Sequence, residues 1–152
     1  MKIEKLAVRD LHILTQLFAY NNVEQMITEC SHDIQNGVID IFVLYKNDVL
    51  IGELHVMYES NDENYAVRGR RAYMFAFRVR EDFQNKGYGT YLLKNVLAIL
   101  KGNGYREFTV GVEDDNFRAF HMYQALGFNE LLLRKQEEYQ GDAYEYNLYL
   151  KR

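Results

Sequence analysis

Residues 77–100 read FRVREDFQNKGYGTYLLKNVLAIL, and this stretch decides the fold. Apolar residues that alternate up to Val79 are followed by a short basic turn with two glycines, and then by apolar residues at helical spacing. The pattern predicts a strand, a turn at residues 84–90, and an amphipathic helix that buries the face running from Leu93 to Leu100.

The entrance of this helix predicts an anion site. The first four backbone N–H groups of a helix have no intrahelical partner, and no good capping side chain stands in front of Gly87-Tyr88-Gly89. Glycine lets the backbone approach a ligand closely, and the positive end of the helix dipole favours an anion there. Lys86 adds a charge and Gln84 an amide donor, so we expect a diphosphate at this turn. The alternative is a plain strand-to-helix turn that needs a positive φ.

Two common nucleotide motifs do not fit this turn. The dinucleotide fingerprint G-x-G-x-x-G requires a third glycine, but Gly87-Tyr88-Gly89 is followed by Thr90-Tyr91-Leu92. The phosphate-binding string G-x-x-x-x-G-K-[ST] does not occur anywhere in the chain. The turn is instead a Q-x-x-G-x-G sequence placed after a hydrophobic strand.

Composition predicts one globular domain, residues 1–152, with 48% apolar and 26% charged residues. The net charge of -4 argues against general nucleic-acid binding, because no basic stretch could release many counterions. The only cysteine, Cys30, cannot form an internal disulfide, which favours a reducing compartment. No apolar run is long enough for a membrane span and the N-terminus has no signal-peptide core, so we expect a cytoplasmic protein.

The remaining chain alternates between strand and helix patterns. Asp10 is expected to cap a first helix, and residues 23–35 a second that ends at Asn36-Gly37. Residues 38–58 predict an antiparallel hairpin with a turn at residues 46–48. The predicted order is β-α-α-β-β-β-α-β-α-β-β, a mixed α/β sheet covered by helices.

In the strand before the glycine turn, alternation places Tyr73, Phe75, Phe77 and Val79 on one face. A helix then joins this strand to the one at residues 108–112, so these two strands should be parallel. Asp114, Asp115 or Asn116 is expected to cap the next helix.

Two motifs resemble the GNAT superfamily of N-acetyltransferases, and the resemblance covers essentially the whole chain. The first is Val79-x-x-x-x-Gln84-x-x-Gly87-x-Gly89, and the second is Asn116-x-x-Ala119-x-x-x-Tyr123-x-x-x-Gly127-Phe128. The resemblance implies the GNAT fold, with acetyl-CoA as co-substrate. It also implies that the two central parallel strands splay apart and that the pantetheine arm lies between them.

The resemblance assigns a cofactor role to specific positions. The backbone of Phe77, Arg78 and Val79 would pair with the pantetheine amides. Asn116 and Ala119 would lie at the cofactor. Asn116 is either a helix cap, a cofactor contact, or both, and its role as a cap needs no family argument. The diphosphate would be bound by the backbone N–H groups of one continuous turn, at Gln84, Asn85, Lys86, Gly87, Tyr88, Gly89 and Thr90.

The same resemblance makes Tyr123 the residue that donates a proton toward the departing thiolate. A general base must also take a proton from the acceptor amine, and members often carry a glutamate in one of the central strands. Residues 73–79 contain no acid, and Gly111 occupies the matching place in the later strand. Glu113 is the first candidate, with Asp114, Glu53 or a water chain as alternatives. Glu81 also stands where many members have a proline.

The sequence therefore predicts an N-acetyltransferase that acts on a primary amine of a small molecule, amino sugar or peptide by direct attack. Acidic residues in the strand and loop at residues 53–63 favour a cationic acceptor, and arginines at residues 68–71 argue against one. A non-catalytic acyl-CoA sensor on the same fold, or a phosphate-site protein unrelated to CoA, stays open at this stage. We expect no metal, no nucleic acid and no membrane partner, and a monomer or homodimer.

Overall fold

The computed structural model describes residues 1–152 and contains seven strands and three α-helices. The elements follow the predicted order. In chain order they are β1 (Lys2–Lys5), a 3-10 helix (Val8–Gln16), α1 (Val23–Gln35), β2 (Ile39–Lys46), β3 (Val49–Met57), β4 (Arg71–Val79), a 3-10 turn (Glu81–Phe83), α2 (Tyr88–Gly102), β5 (Glu107–Val112), α3 (Phe117–Ala125), β6 (Glu130–Tyr139) and β7 (Asp142–Lys151).

All seven strands form one mixed sheet in the order β1-β2-β3-β4-β5-β7-β6. The predicted hairpin is present as β2 and β3, and Asn47 and Asp48 at its turn both have a positive φ. The pair β4 and β5 is parallel, as predicted from the helix that joins them, and every other pair is antiparallel. The only parallel pair therefore lies in the middle of the sheet.

Helices cover both faces of the sheet. On one face, α2 and α3 pack on the main core, which contains Leu92, Val96, Phe108 and Phe128. On the other face, α1 and the first 3-10 helix pack on a second cluster that includes Leu11, Leu14 and Met26. No helix is long and apolar enough to cross a membrane.

A β-bulge in β4 corrects the predicted side-chain pattern of this strand. Ala76 has φ 47°, and the register with β3 shifts between the pairs His55–Phe75 and Glu53–Arg78. An extra residue at a bulge reverses the alternation beyond it. Phe77 therefore packs against the main core while Phe75 packs against the second cluster, so the prediction that both share one face is wrong.

The first helix differs from the prediction in type and start. It is a 3-10 helix that begins at Val8, with Ala7 at the N-cap position, so Asp10 lies inside it and does not cap it. A 3-10 helix has three residues per turn, and Val8, Leu11, Leu14 and Leu17 recur at that interval. This spacing places them all on one face, which packs against the second cluster.

Candidate functional site

The start of α2 lacks a side-chain cap. Gly87 is the N-cap residue, with φ 83°, and no side chain accepts a hydrogen bond from the first turn. That φ lies in the left-handed region, which glycine adopts without strain. Asn85, also at a positive φ of 64°, precedes it. The turn therefore points its backbone N–H groups away from the chain's own acceptors.

Six consecutive backbone N–H groups, from Asn85 to Thr90, have no acceptor within the protein. Before them, the Gln84 N–H donates to the Glu81 carbonyl, and after them the Tyr91 N–H donates to the Gly87 carbonyl. Such a series at a helix N-terminus is a binding surface for an anion, because the unpaired N–H groups can donate to it and the helix dipole favours negative charge there.

Side chains around the turn hold it in place and add charge. Gln84 Nε2 donates to the Val79 carbonyl at 2.9 Å, so this amide ties the turn back to β4. Lys86 Nζ donates to the Asp82 carbonyl at 3.3 Å. Lys46 from β2 donates to the Tyr88 hydroxyl, and its ammonium group lies 4.8 Å from the ring centroid. Two cations thus flank the free N–H groups.

The first turn of α2 lies beside β4. A Cβ atom at Gly89 would be 3.4 Å from the Phe77 ring and 3.5 Å from Val79 Cγ2, which are ordinary van der Waals distances. The free N–H groups therefore lie next to the end of β4.

The two parallel strands separate beside this turn. β4 and β5 pair from Arg71–Glu107 to Met74–Val110 and no further, although β4 continues to Val79. Residues 75–79 pair only with β3, so no strand pairs with their other backbone edge, although the Val79 carbonyl accepts from Gln84 Nε2. An extended chain with amide groups could pair with that edge as an added strand does.

Tyr123 lies on α3 and is only 6% exposed. Its ring contacts Phe77 at 6.4 Å and Phe128 at 5.6 Å between centroids. Burial raises the pKa of the Tyr123 hydroxyl above its ordinary value, so this group stays protonated at neutral pH. The hydroxyl makes no hydrogen bond within the protein and is not sealed from solvent, so its proton is free for a ligand.

Asn116 caps α3, as one of the three predicted candidates. Its side-chain Oδ1 accepts from the Ala119 N–H at 3.2 Å. The Ala119 N–H is therefore occupied, and its side chain packs against the main core. These contacts fix the start of the helix that carries Tyr123.

The three carboxylates considered as a base have different surroundings. Glu113 is exposed at the end of β5 and forms no ion pair. Asp114 is bound by Arg134 at 2.7 Å and by Asn147, and these contacts lower the pKa of the Asp114 carboxyl. Glu53 is fully buried and accepts from His55 and Arg78. Of these three, only Glu113 is not held by another side chain.

A cavity of about 900 Å³ lies on the α1 side of the sheet, and we call it the tyrosine cavity. Tyr65, Tyr73, Tyr144 and Tyr146 form one wall, and Glu113 is also at its surface. The cavity reaches Phe77 and Arg78 on β4, where the two parallel strands separate. No group of three or more His, Cys, Asp or Glu residues is arranged to hold a metal ion.

Gly111 and Tyr146 form a contact that the sequence did not predict. A Cβ at Gly111 would lie 2.8 Å from Tyr146 Cδ2, so the tyrosine ring fills the space of a side chain at that position. Tyr146 donates to Glu137 Oε1 at 2.9 Å. With 13 tyrosines in the chain, nothing in the sequence singled out this one. The pairing of β5 with β7 brings the two together.

Comparison with known proteins shows which family this chain resembles. A model of the Acetyltransferase (GNAT) family matches residues 8–128. The [Ribosomal protein bS18]-alanine N-acetyltransferase of Salmonella typhimurium is 34% identical over 64 residues. That match covers 42% of this chain and 43% of that protein, which is less than half of either.

Solved structures share the whole fold at low sequence identity. The ribosomal-protein-S18-alanine N-acetyltransferase from Escherichia coli has a TM-score of 0.73 at 22% identity and covers 99% of this chain and 92% of that one. A GNAT family acetyltransferase from Elizabethkingia anophelis with acetyl-CoA bound has a TM-score of 0.66 at 18% identity, with 99% and 96% covered. The predicted fold is confirmed. Because the family model covers most of its length, this chain belongs to the GNAT family of acetyltransferases.

Proposed function

We propose that this protein transfers an acetyl group from acetyl-CoA to the primary amine of a small molecule, amino sugar or peptide. The observation that carries the proposal is the row of six unpaired N–H groups at the start of α2, next to the free edge of β4. The proposal takes residues 1–152 as one acetyltransferase domain in the cytoplasm, because one sheet carries every strand and Cys30 has no disulfide partner.

The diphosphate of acetyl-CoA binds at the turn in this proposal. Backbone N–H groups from Asn85 to Thr90 donate to its oxygens, and Lys86 and Lys46 offset its charge. The Gln84 amide acts by holding the turn to Val79, since its Nε2 already donates to that carbonyl. Asn116 and Ala119 act by placing α3 beside the cofactor.

The position of the diphosphate determines where the pantetheine arm lies. It extends along the free backbone edge at residues 75–79, between β4 and β5, and pairs with Phe77, Arg78 and Val79 as a strand would. The thioester then reaches the point where the two strands meet, near Met74 and Val110. The tyrosine cavity reaches the neighbouring positions Phe75 and Gly111 and admits the amine.

The reaction is a direct attack without a covalent acyl-enzyme. The neutral amine nitrogen forms a bond to the thioester carbon, and the C–S bond breaks. The proton that this nitrogen then loses passes to the departing CoA sulfur, which leaves as the thiol. The attacking ammonium must first lose a proton, and Glu113 is the residue we assign to accept it, directly or through water, because its carboxylate forms no ion pair and lies at the cavity surface. Asp114 and Glu53 are both held by other side chains.

Tyr123 donates a hydrogen bond to the departing thiolate in this mechanism. A phenol has a reference pKa of about 10 and a thiol about 8.5, so complete proton transfer is uphill by roughly 2 kcal/mol in water. Burial raises the Tyr123 pKa further, which keeps the hydroxyl a donor. A bond that strengthens as negative charge develops on sulfur lowers the barrier.

The test is incubation of the purified protein with acetyl-CoA and a pooled library of primary amines. Mass spectrometry should find acetylated amines, and a thiol reagent should find free CoA in equal amount. Binding of acetyl-CoA without any acetylated amine or peptide would contradict the proposal and favour a sensor on the same fold.

A further inference from the structure

The side chains that line the tyrosine cavity have an excess of negative charge. Six carboxylates line it, and none of them forms a salt bridge, whereas only two cations, Arg78 and Lys135, face it. Arg78 is itself bonded to Glu53 at 3.1 Å. A concave site with one sign of charge concentrates ions of the opposite sign. The six carboxylates belong to Glu29, Asp33, Asp62, Glu113, Glu137 and Asp142.

The tyrosine hydroxyls of this wall donate, directly or through one another, to the carboxylate of Glu137. Tyr146 donates to Glu137 Oε1 at 2.9 Å, and Tyr144 donates to Oε2 at 3.2 Å. Since the Tyr146 proton is used, the 2.7 Å contact between the two hydroxyls means that Tyr65 donates to Tyr146. The Tyr65 oxygen is then left with lone pairs only, so the hydroxyls of Tyr65, Tyr144 and Tyr146 offer a ligand acceptors and no free donor.

His55 presents a further acceptor from the opposite wall. The ring is only 4% exposed and lines the cavity. Its Nε2 lies 2.7 Å from Glu53 Oε2, and in the neutral ring an N–H at Nε2 that donates to this carboxylate leaves Nδ1 as an acceptor. Nδ1 has no partner in the protein and is not sealed from solvent, so it faces the cavity. A ligand rich in N–H donors fits this site.

Hydrogen bonds join two distant segments beside the cavity. Asn21 Nδ2 donates to the Gln140 carbonyl at 2.7 Å, and the side chain of Gln140 pairs with the backbone of Asn22 at 2.8 and 2.9 Å. Tyr20 and Tyr139, next to these residues, line the cavity. Because these two segments are held together, an acceptor on this side has less room, which favours a small acceptor over an extended polypeptide.

We propose that the acceptor is a small aliphatic diamine or polyamine, and this inference rests on the proposed function. The reacting nitrogen has to be neutral when it attacks, and negative surroundings favour its protonated form. The charge of the cavity therefore helps catalysis only if the acceptor carries a second ammonium group that stays protonated. Glu137 and the faces of the surrounding tyrosines bind that second group.

The test compares cadaverine, a diamine, with pentylamine and aminopentanol, which match its chain and lack the second ammonium. With acetyl-CoA saturating, kcat/KM for cadaverine should exceed both by about ten-fold or more. Equal or faster acetylation of pentylamine would overturn the inference, and so would faster acetylation of a peptide that begins with alanine. Either result leaves the proposed acetyl transfer intact.

The ratio of cadaverine to pentylamine kcat/KM should fall about ten-fold in Glu137→Gln. Glu138→Gln is the matched control, because Glu138 is the next residue of β6, exposed, and outside the cavity. An unchanged ratio in a folded Glu137→Gln protein would contradict the inference.

Two measurements on the unaltered protein do not depend on a variant. Added salt should raise KM for cadaverine more than KM for pentylamine, because salt screens the ammonium–carboxylate attraction. Calorimetry should also show tighter binding of cadaverine than of pentylamine. Equal binding of the two amines would refute the inference, whereas absent turnover with every amine and peptide would count against the proposed function.

Discussion

Two buried tyrosines of the main core differ in surroundings. Tyr123 contacts Phe77, beside the gap between β4 and β5, whereas Tyr105 follows the C-terminal end of α2 and contacts Tyr58. Replacement of Tyr123 by Phe removes only the hydroxyl. We expect kcat to fall on the order of ten-fold, with the Kd for acetyl-CoA nearly unchanged, because the hydrogen bond to sulfur strengthens only as the thiolate forms.

Tyr105→Phe is the control for this experiment. Tyr105 is 8% exposed and Tyr123 6%, and both belong to the same core cluster, so loss of either hydroxyl perturbs similar packing. Equal kcat values for the two variants would show that the Tyr123 hydroxyl has no part in the reaction.

The rate at which Cys30 reacts with alkylating agents should depend on pH. Burial on α1 raises the pKa of this thiol to about 11. Because only the thiolate reacts with alkylating agents, we expect slow alkylation at neutral pH and a rate that is still rising with pH at about 9, above the usual thiol value near 8.5. The unfolded state loses its proton first, so this group's contribution to stability should also decrease as pH rises through that range.

The measurement is the alkylation rate of the folded protein at a series of pH values, with the urea-unfolded protein as reference. A plateau near the same pH in both states would show that the folded structure does not protect this thiol.

The sequence allowed better predictions of the local role of a residue than of the residues that it contacts. Asn116 was expected to cap a helix, and it does, because capping is local. The contact between Gly111 and Tyr146 depends on the pairing of β5 with β7, and the Glu53–Arg78 pair on a bulge in β4. Such contacts between distant segments leave no local pattern.

The start of α2 allows a test in which stability and binding change in opposite directions. Lys86→Glu places a negative charge at the helix N-terminus, where the dipole favours it by about 0.3–1 kcal/mol. The same charge repels a diphosphate bound there. We expect an unchanged or higher melting temperature, together with a loss of acetyl-CoA affinity on the order of ten-fold.

Lys94→Glu is the matched control, because Lys94 is exposed on the middle of the same helix. It makes the same change in net charge away from the turn. Calorimetry and thermal unfolding of both variants distinguish a local from a general charge effect. If both variants lost acetyl-CoA affinity equally, the turn would not be the diphosphate site.

The elements themselves were predicted well where one periodicity holds throughout. α1 has the predicted bounds, because its apolar stripe, its cap and the Asn36-Gly37 stop agree. The 3-10 helix at Val8–Gln16 was taken for an α-helix, since Leu11, Leu14 and Leu17 fit both periods. In β4, no residue type marks the bulge, and Ala76 adopts its positive φ for tertiary reasons.

The turn between β6 and β7 is hydrogen-bonded to the segment that connects the first 3-10 helix to α1. Gln140→Ala removes the two side-chain hydrogen bonds to Asn22 and so loosens the contact between the two segments beside the tyrosine cavity. We expect KM for the amine to rise several-fold while KM for acetyl-CoA stays the same, because the diphosphate turn lies on other elements.

Gln136→Ala is the control, since Gln136 is exposed on the same hairpin and its side chain forms no hydrogen bond. Steady-state kinetics with each substrate varied in turn separates the two KM values. A parallel rise in both KM values for Gln140→Ala would point to general loosening of the fold.

Only part of the sheet topology could be predicted from local sequence patterns. A helix between two strands requires a crossover, and this fixed β4 and β5 as the parallel pair. The position of β7 between β5 and β6 was not predicted, because strand order depends on which edges meet after the chain collapses. That order brings Tyr144 and Tyr146 to the cavity, so this part of the site lay beyond sequence reasoning.

The central claim is that the free N–H groups at the start of α2 bind the diphosphate of acetyl-CoA. The most direct measurement is an NMR titration of the isotope-labelled protein with acetyl-CoA, which follows each backbone amide. The account predicts that the amide protons from Asn85 to Thr90 move downfield together, as they do when they donate to an anion. Saturable binding that leaves these six resonances in place and shifts amides elsewhere would contradict it.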